Sequence, residues 1–230
     1  MHSSEHNRAV ALARWARVRE RERAAFGGHE VAVAKAALCG FLAGDGNIKR
    51  RLAPEGFYRY YINCFPDDDE MLAAYLRFFY EVYAKAPRVT PMQGYFAVKC
   101  SHQSIGEDIL KFAQFGIHTW SIPNFRTSIE KIAWLRAFFS AEGYVGVKSV
   151  RIQTVNARGM NEISVCLKEL AIHHNCYLYK PKNANHSTVH IITILRFEAR
   201  LRYARIIGFW HKKKTAALRK TLDLKDNFES

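Results

Sequence analysis

Two carboxylates in this sequence, Asp45 and Glu142, occupy nearly the same setting 97 residues apart. Ala36-Ala37-Leu38-Cys39-Gly40-Phe41-Leu42-Ala43-Gly44-Asp45-Gly46 lies over Ala133-Trp134-Leu135-Arg136-Ala137-Phe138-Phe139-Ser140-Ala141-Glu142-Gly143. Each is an apolar stretch with helical spacing that ends in the acid and is followed by glycine, as helix C-termini often are. Small residues recur at every fourth position: Ala36, Gly40 and Gly44, then Ala133, Ala137 and Ala141. Residues four apart share one helix face. A row of Gly and Ala there lets two backbones approach closer than the usual ~8–10 Å. If the two helices pack along these rows, the acids meet at one end. Two carboxylates that close repel and take up protons unless a cation sits between them. A hard divalent ion with oxygen ligands, such as Mg²⁺, resolves the conflict. An acid at a helix C-terminus also opposes the helix dipole by ~0.3–1 kcal/mol. Bearing that cost twice at matched positions points to function.

The elements that position the acids repeat as well. After the first motif come the strand-like NIKRRL and YRYYINC. A helix opened by Asp67-Asp68-Asp69-Glu70 and running to about Ala84 follows. Strands around Arg88–Met92 and Tyr95–Ser101 come next, then a helix through Glu107–Phe112. After the second motif, strands are expected at Tyr144–Lys148 and Val150–Val155, and a helix from about Met160 to His174. Strands near Tyr177–Lys180 and Thr188–Leu195 and a helix at Phe197–Ile207 complete the set. The reading is an α+β fold built from duplicated αββαββα units related by a pseudo-two-fold axis. Residues 31–122 form the first repeat and 123–230 the second. Residues 1–30 form an N-terminal accessory segment with an extra helix near 8–26, whose acids Glu20 and Glu22 speak against an organellar transit peptide.

Composition narrows the partner. Lys and Arg number 35 against 21 Asp and Glu, a formal net charge of +14. Such an excess fits a polyanion, nucleic acid before acidic membrane. Residues 1–120 carry 16 basic and 13 acidic side chains and the remainder 19 and 8, so the excess lies mostly in the second half. Cys39, Cys64, Cys100, Cys166 and Cys176 offer no zinc-ligand spacing and read as small buried apolar residues in a reducing compartment. No apolar run approaches the ~20 residues of a bilayer span, and no secretory leader is evident. The expectation is a soluble intracellular protein, in prokaryotic cytoplasm or an organelle matrix, without a membrane partner.

Leu38–Gly46 (LCGFLAGDG) and Leu135–Gly143 (LRAFFSAEG) resemble the two LAGLIDADG motifs of monomeric homing endonucleases. The resemblance spans about residues 31–222 and includes the family's end-of-domain pattern in Ile207–Lys212 with Lys214 and Leu218. It implies a saddle of two antiparallel sheets laid along the DNA major groove. Asp45 and Glu142 would ligate the metal at two active sites, with the carbonyls of Gly44 and Ala141 joining them. Both strands would be cut across the minor groove, leaving short 3′ overhangs. Mg²⁺ is the implied cofactor, with Mn²⁺ as a substitute and Ca²⁺ as a non-cleaving one. The implied partner is double-stranded DNA with a long, near-palindromic target, bound by a monomer encoded in a mobile intron. Ala43 and Ser140 replace the acidic sixth motif position, and Ala137 departs at the third, but the ligand acids remain.

Within that frame, Lys99 and Arg196, each closing a fourth strand, are candidates to offset charge on the scissile phosphate. Asn63 and Gln153, on second strands, are candidates to orient water. Strand alternation turns Tyr58, Tyr60, Ile62, Phe96, Val98 and Cys100 toward the helices. It leaves Asn47, Lys49, Arg51, Arg59, Tyr61, Asn63, Tyr95 and Lys99 for the groove in the first repeat. In the second, Lys148, Arg151, Gln153, Lys180, Lys182 and His190 are expected there. Such side chains touch bases or phosphates. Lys212-Lys213-Lys214 reads as a solvated or phosphate-contacting run, Asp67–Glu70 as a helix cap. His173 and His174, adjacent on a helix, cannot grip one metal together. Two other functions fit the same scaffold: an intron RNA maturase, and a DNA-binding regulator that has lost cleavage. The intact acids favour cleavage.

Overall fold

The computed structural model describes residues 14, 16–18, 20–21, 31–54, 56–183 and 185–222. Of the leading helix expected near 8–26, the described residues are helical and exposed, and the rest of that segment lies outside the described residues.

The first repeat runs α1 (Ala32–Asp45), β1 (Gly46–Leu52), β2 (Tyr58–Cys64), α2 (Asp69–Tyr83), β3 (Arg88–Met92), β4 (Tyr95–Cys100) and α3 (Gln103–Phe112). The second runs α4 (Ser128–Glu142), β5 (Tyr144–Gly146), β6 (Ser149–Thr154), α5 (Ala157–Glu169), β7 (Asn175–Tyr179), β8 (Val189–Ile194) and α6 (Phe197–Ile206), then adds α7 (Lys212–Thr221). Each set of strands forms one antiparallel sheet, ordered β1-β2-β4-β3 and β5-β6-β8-β7. The expected duplication is present, with α7 as an element that the αββαββα reading of the second half lacked.

α1 and α4 form the centre. Both are buried along most of their length, as central helices are, and Ala36, Phe41, Trp134 and Phe139 have no exposed surface. α4 opens on a capping box: Thr127 Oγ1 accepts from Glu130 N at 3.2 Å and donates to Glu130 Oε1 at 3.0 Å. That pairing satisfies a carboxylate that is otherwise buried. The linker between the repeats is pinned by Trp120, whose ring lies 4.8 Å from Phe138 and whose carbonyl accepts from Asn156 Nδ2 at 2.5 Å.

Several boundaries differ from the alternation reading. β5 ends at Gly146, because Val147 and Lys148 form the turn into β6. α5 stops at Glu169, well short of His174: Ala171 turns left-handed (φ 53°) and its N–H returns to Lys168 O at 2.9 Å. His173 and His174 therefore follow the helix, and His174 Nε2 pairs with Ser164 Oγ at 2.8 Å. Cys39, Cys64 and Cys166 are buried as expected, Cys100 is partly so, and Cys176 is exposed.

Residues 207–211 strap the second half onto the first. Gly208 adopts a left-handed backbone (φ 63°) that turns the chain out of α6. Arg136 donates to the carbonyls of Ile206 and Ile207, and Trp210 N donates to Ser140 Oγ at 2.7 Å. The Trp210 ring then packs on Phe78 and Phe41, at 4.9 and 5.6 Å between centroids. α7 begins against the start of α2. Asp68 Oδ1 accepts from Glu70 N and Met71 N, and also from Lys212 N at 3.2 Å. One carboxylate thus caps two helices, and His211 lies against both Asp67 and Asp68. Asp68→Ala should lower stability by about 2 kcal/mol, the upper end for an N-cap, read as a fall in denaturation midpoint against an Asp69→Ala control.

Candidate metal centre and nucleic-acid interface

The small-residue rows meet face to face. A Cβ on Gly40 would lie 2.3 Å from Trp134 O and 2.8 Å from Ala137 Cβ. One on Gly44 would lie 2.4 Å from Ala141 Cβ and 3.3 Å from Glu142 Cγ. The two backbones are as close as their atoms allow, and the helices end together. The glycines past the acids serve space, not handedness. Gly46 and Gly143 are both extended (φ −123° and −75°). A Cβ would strike Leu42 Cα at 2.6 Å or Phe139 O at 2.3 Å. Phe65 N donates to Asp45 O at 2.9 Å, tying the first helix end to the residue just past β2.

Burial foremost, and then the neighbouring Glu142, pushes the Asp45 carboxyl up from 3.8 to about 7, with Asp67 adding to the rise and Lys214 opposing it. Glu142 is also raised, by burial, with Lys214 again opposing. Glu142 nonetheless keeps one side open to solvent. It lines a cleft of about 290 Å³ with Gly44, Asn47 and Thr154, and another of about 310 Å³ with Tyr144, Arg151 and Gln153.

Lys214 of α7, named in the sequence only as part of the end-of-domain pattern and of a lysine run, proves to belong to the helix seam. Its Nζ donates to Ser140 O at 2.6 Å and to Ala141 O at 2.8 Å, capping the C-terminus of α4. Burial lowers its pKa, while Asp67, Asp45, Glu142 and Asp68 pull it back up. Read as part of a solvated lysine run, it proves to be on the buried side of its helix while Lys212 and Lys213 are exposed. The signal was available: Lys214 and Leu218 are four apart on one face, and Leu218 is buried.

Among the described residues no group of three or more His, Cys, Asp or Glu could hold a metal. The donors here are two crowded carboxylates and the carbonyl ends of two helices, all hard oxygens. That set fits Mg²⁺ or Mn²⁺ completed by water and phosphate oxygens, and does not fit a soft ion.

Strand register sorts the remaining candidates. Asn47, Asn63, Lys99 and Arg88 form one row across the first sheet. Asn63 Nδ2 donates to Asn47 Oδ1 at 2.9 Å. Lys49, Arg51, Arg59, Tyr61 and Tyr95 share that face by alternation, opposite the buried Ile62 and Val98. The matching row of the second sheet is Tyr144, Arg151, Thr193 and Asn175. Thr193, not Arg196, is the counterpart of Lys99, since β8 ends at Ile194 and Arg196 is the exposed N-cap of α6. Arg151, not Gln153, is the counterpart of Asn63; its Nη2 donates to Gln153 Oε1 at 2.7 Å. His190 shares the face of Ile192 and Ile194 and borders a groove under α5 with Met160 and Asn161, away from the expected face. Lys148 lies in a hairpin turn, and Lys180 and Lys182 in the loop after β7, so none is on a strand. Arg88, Tyr144, Tyr177 and Tyr179 were not singled out by sequence. The three tyrosines are 65%, 49% and 57% exposed.

Two αββαββα units joined along a glycine-lined helix pair, with an acid at each helix end, define the LAGLIDADG type of fold. Residues 130–208 match the family model described as LAGLIDADG-like domain. No curated protein matches the chain by sequence. Among solved structures, mesophilic variants of the homing endonuclease I-DmoI superpose with a TM-score of 0.62 at 15% identity, covering 77% of this chain and 96% of that one. I-DmoI in complex with DNA and Mn gives 0.60 at 15% identity, over 77% and 97%. The N-terminal LAGLIDADG domain of DUF199/WhiA gives 0.53 at 14% identity, over 80% and 85%. At these identities the likeness is one of fold. No helix among the described residues is long and apolar enough to cross a membrane.

Proposed function

We propose that this chain is a divalent-metal-dependent, site-specific double-strand DNA endonuclease of the homing type, acting as a monomer. The observation that carries the reading is the pair Asp45 and Glu142, forced together at the joined ends of α1 and α4 with their carboxyls held toward the protonated form. Such a pair is an unfavourable arrangement unless a cation uses it. A bound divalent ion would activate water and stabilise the leaving oxygen in phosphodiester hydrolysis. Asp45 and Glu142 would hold it, with the carbonyls of Gly44 and Ala141 beside them. Lys99 and Arg151, in the rows that start next to the acids, would draw the phosphate in and offset its charge. Asn63 would orient water. The first sheet, with Asn47, Lys49, Arg51, Arg59, Arg88 and Lys99, supplies donors for base edges and phosphates. I-DmoI bound to DNA with Mn, and separately with Ca, supports both the partner and the class of ion.

Incubation with a randomised-site duplex library and Mg²⁺ tests this. Double-strand cuts at one extended sequence, absent with EDTA and in Asp45→Asn, are expected. Tight binding with no cuts under any divalent ion would overturn it.

A second reading, RNA binding in intron splicing, is favoured by one feature: Tyr144, Tyr177 and Tyr179 expose their rings on the second sheet. Exposed aromatics on a sheet stack unpaired bases. On that reading Tyr177→Ala with Tyr179→Ala lowers single-stranded RNA affinity about tenfold or more, while Phe at both positions preserves it. Equal RNA binding in the Ala and Phe variants would dismiss it.

A further inference from the structure

We infer that the two sheets read their halves of the DNA target by different chemistry: the first through charge and hydrogen bonds, the second through thymine methyl groups in the major groove. This rests on the site-specific DNA reading above.

The open faces of the two sheets differ row by row. Lys49, Arg51, Arg59, Arg88 and Lys99 stand on the first face. Arg151 is the one cation on the strands of the second face, and its Nη2 is turned to Gln153 Oε1 at 2.7 Å. β8 and β7 are the two strands furthest from β5 in the sheet order, and neither places a charge on this face. β8 presents Thr193, Ile191 and Val189, while β7 presents Asn175, Tyr177 and Tyr179. Ile191 stands directly across from Tyr177, and Val189 from Tyr179, so the four side chains make one continuous apolar band. Ile191 and Val189 are half-buried, and both tyrosines are exposed. The core does not need this band, since Ile192 and Ile194 on the other face of β8 already fill it. Nor is the second half short of positive charge. Lys180 and Lys182 lie in the loop after β7, and Arg205, Lys212 and Lys213 lie on α6 and α7, none of them on this face.

A base edge pressed against Ile191 or Val189 receives no hydrogen bond, so each donor or acceptor it brings there is left unpaired. Thymine is the base that offers a methyl group in the major groove, where aliphatic and aromatic side chains can cover it. Burying one such methyl is worth about fourfold in affinity. The arginines and lysines of the first face instead match the paired acceptors of guanine, or the phosphates on either side. The two halves of the target therefore differ in chemistry, and the target departs from the near-palindrome that the motif resemblance implies.

Selection of a randomised duplex library on the intact protein in Ca²⁺ gives the preferred sequence. The same selection with Arg59→Ala marks the half under the first sheet, as the positions whose preference relaxes. Deoxyuridine, which lacks only the methyl group of thymine, is then placed in one half at a time and binding is measured. In the half under the second sheet, replacing two or more thymines should weaken wild-type binding about tenfold or more. In the other half the same replacement should change binding by less than about twofold. Ile191→Gln should lose about fourfold of the methyl effect, the share of one methyl. Should that variant fail to fold, the wild-type comparison of the two halves decides alone. A second half without thymine preference, equal sensitivity of the two halves, or a methyl effect unchanged in Ile191→Gln would overturn the inference alone, with sequence-specific binding still present. No sequence selected by the wild type would overturn it together with the site-specific reading.

Discussion

Asp45→Asn should abolish DNA cleavage, by at least about a thousandfold, and at the same time make the metal-free protein more stable at pH 8. The first effect follows if the carboxylate is a ligand. The second follows from its setting. Asp45 holds its proton to about pH 7 in the folded chain, against 3.8 ordinarily, chiefly because it is buried and Glu142 adjoins it. A raised acid binds protons more tightly in the native state than in the unfolded one. Its contribution favours folding fully below about pH 4 and is lost as pH rises through 7. At pH 8 the ionised group costs at most about 4 kcal/mol. An amide in its place does not ionise, so thermal melts should show the variant above the wild type at pH 8 and level with it or below at pH 4. Adding Mg²⁺ should raise the wild-type midpoint and leave the variant unmoved. A variant that melts lower than the wild type at pH 8 without metal would show that burial beside Glu142 does not hold the Asp45 carboxyl up.

Gly40→Ala is expected to reverse the sign that helix propensity assigns to it. Alanine in place of a mid-helix glycine gains about 1 kcal/mol from propensity alone. Here the added methyl would sit 2.3 Å from the Trp134 carbonyl oxygen, a backbone atom that moves only if the whole of α4 moves. Overpacking of this kind costs about 3 kcal/mol or more, and Gly40→Val should leave no folded protein, since domains hold only about 5–15 kcal/mol in reserve. Gly94→Ala provides the contrast. That glycine is left-handed (φ 84°) with nothing within 4 Å of the new methyl, so it should lose only the ~1–2 kcal/mol of backbone strain. Denaturant midpoints for the three variants, ranked Gly94→Ala above Gly40→Ala above Gly40→Val, check the account. A Gly40→Ala protein more stable than the wild type would mean the helices can separate at little cost.

What was legible in the sequence was what periodicity encodes. The four-residue spacing of small side chains located the helix seam, and the seam fixed where Asp45 and Glu142 end. Alternation placed Asn47, Lys49, Arg51, Arg59, Tyr61, Asn63, Tyr95 and Lys99 on one face of the first sheet, where the register puts them. The second sheet was read less well because β5 is short and a long loop separates β7 from β8. A shift of one residue in β8 moves His190 to the opposite face, and period-two reasoning has no defence against it. Arg196 was assigned as the residue closing the fourth strand, whereas that strand ends at Ile194 and the register gives the row position to Thr193. Lys214 was noted with Leu218 in the end-of-domain pattern, but its place in a run of three lysines suggested solvent, whereas the buried Leu218 one turn on marks an inward face. The strap at 207–211 stood out as the family's end-of-domain pattern, but periodicity carries no sign of its contacts, which reach back to Arg136 and Ser140 in α4 and to Phe41 and Phe78 in the first half.

That strap sets a limit on how the molecule can be divided. Trp210 belongs by position to the second half, yet its ring fills a recess formed by Phe41 and Phe78 of the first. Asp68, from the first half, holds the start of the last helix of the second. Each half thus completes the other's core as well as sharing the central seam. A fragment ending before residue 123 would expose two aromatic rings along with the whole glycine-lined face of α1. The halves are not interchangeable cassettes. A chimera joining this first half to a foreign second half must import a tryptophan and a helix start that match it, or accept a hole where the two repeats interlock.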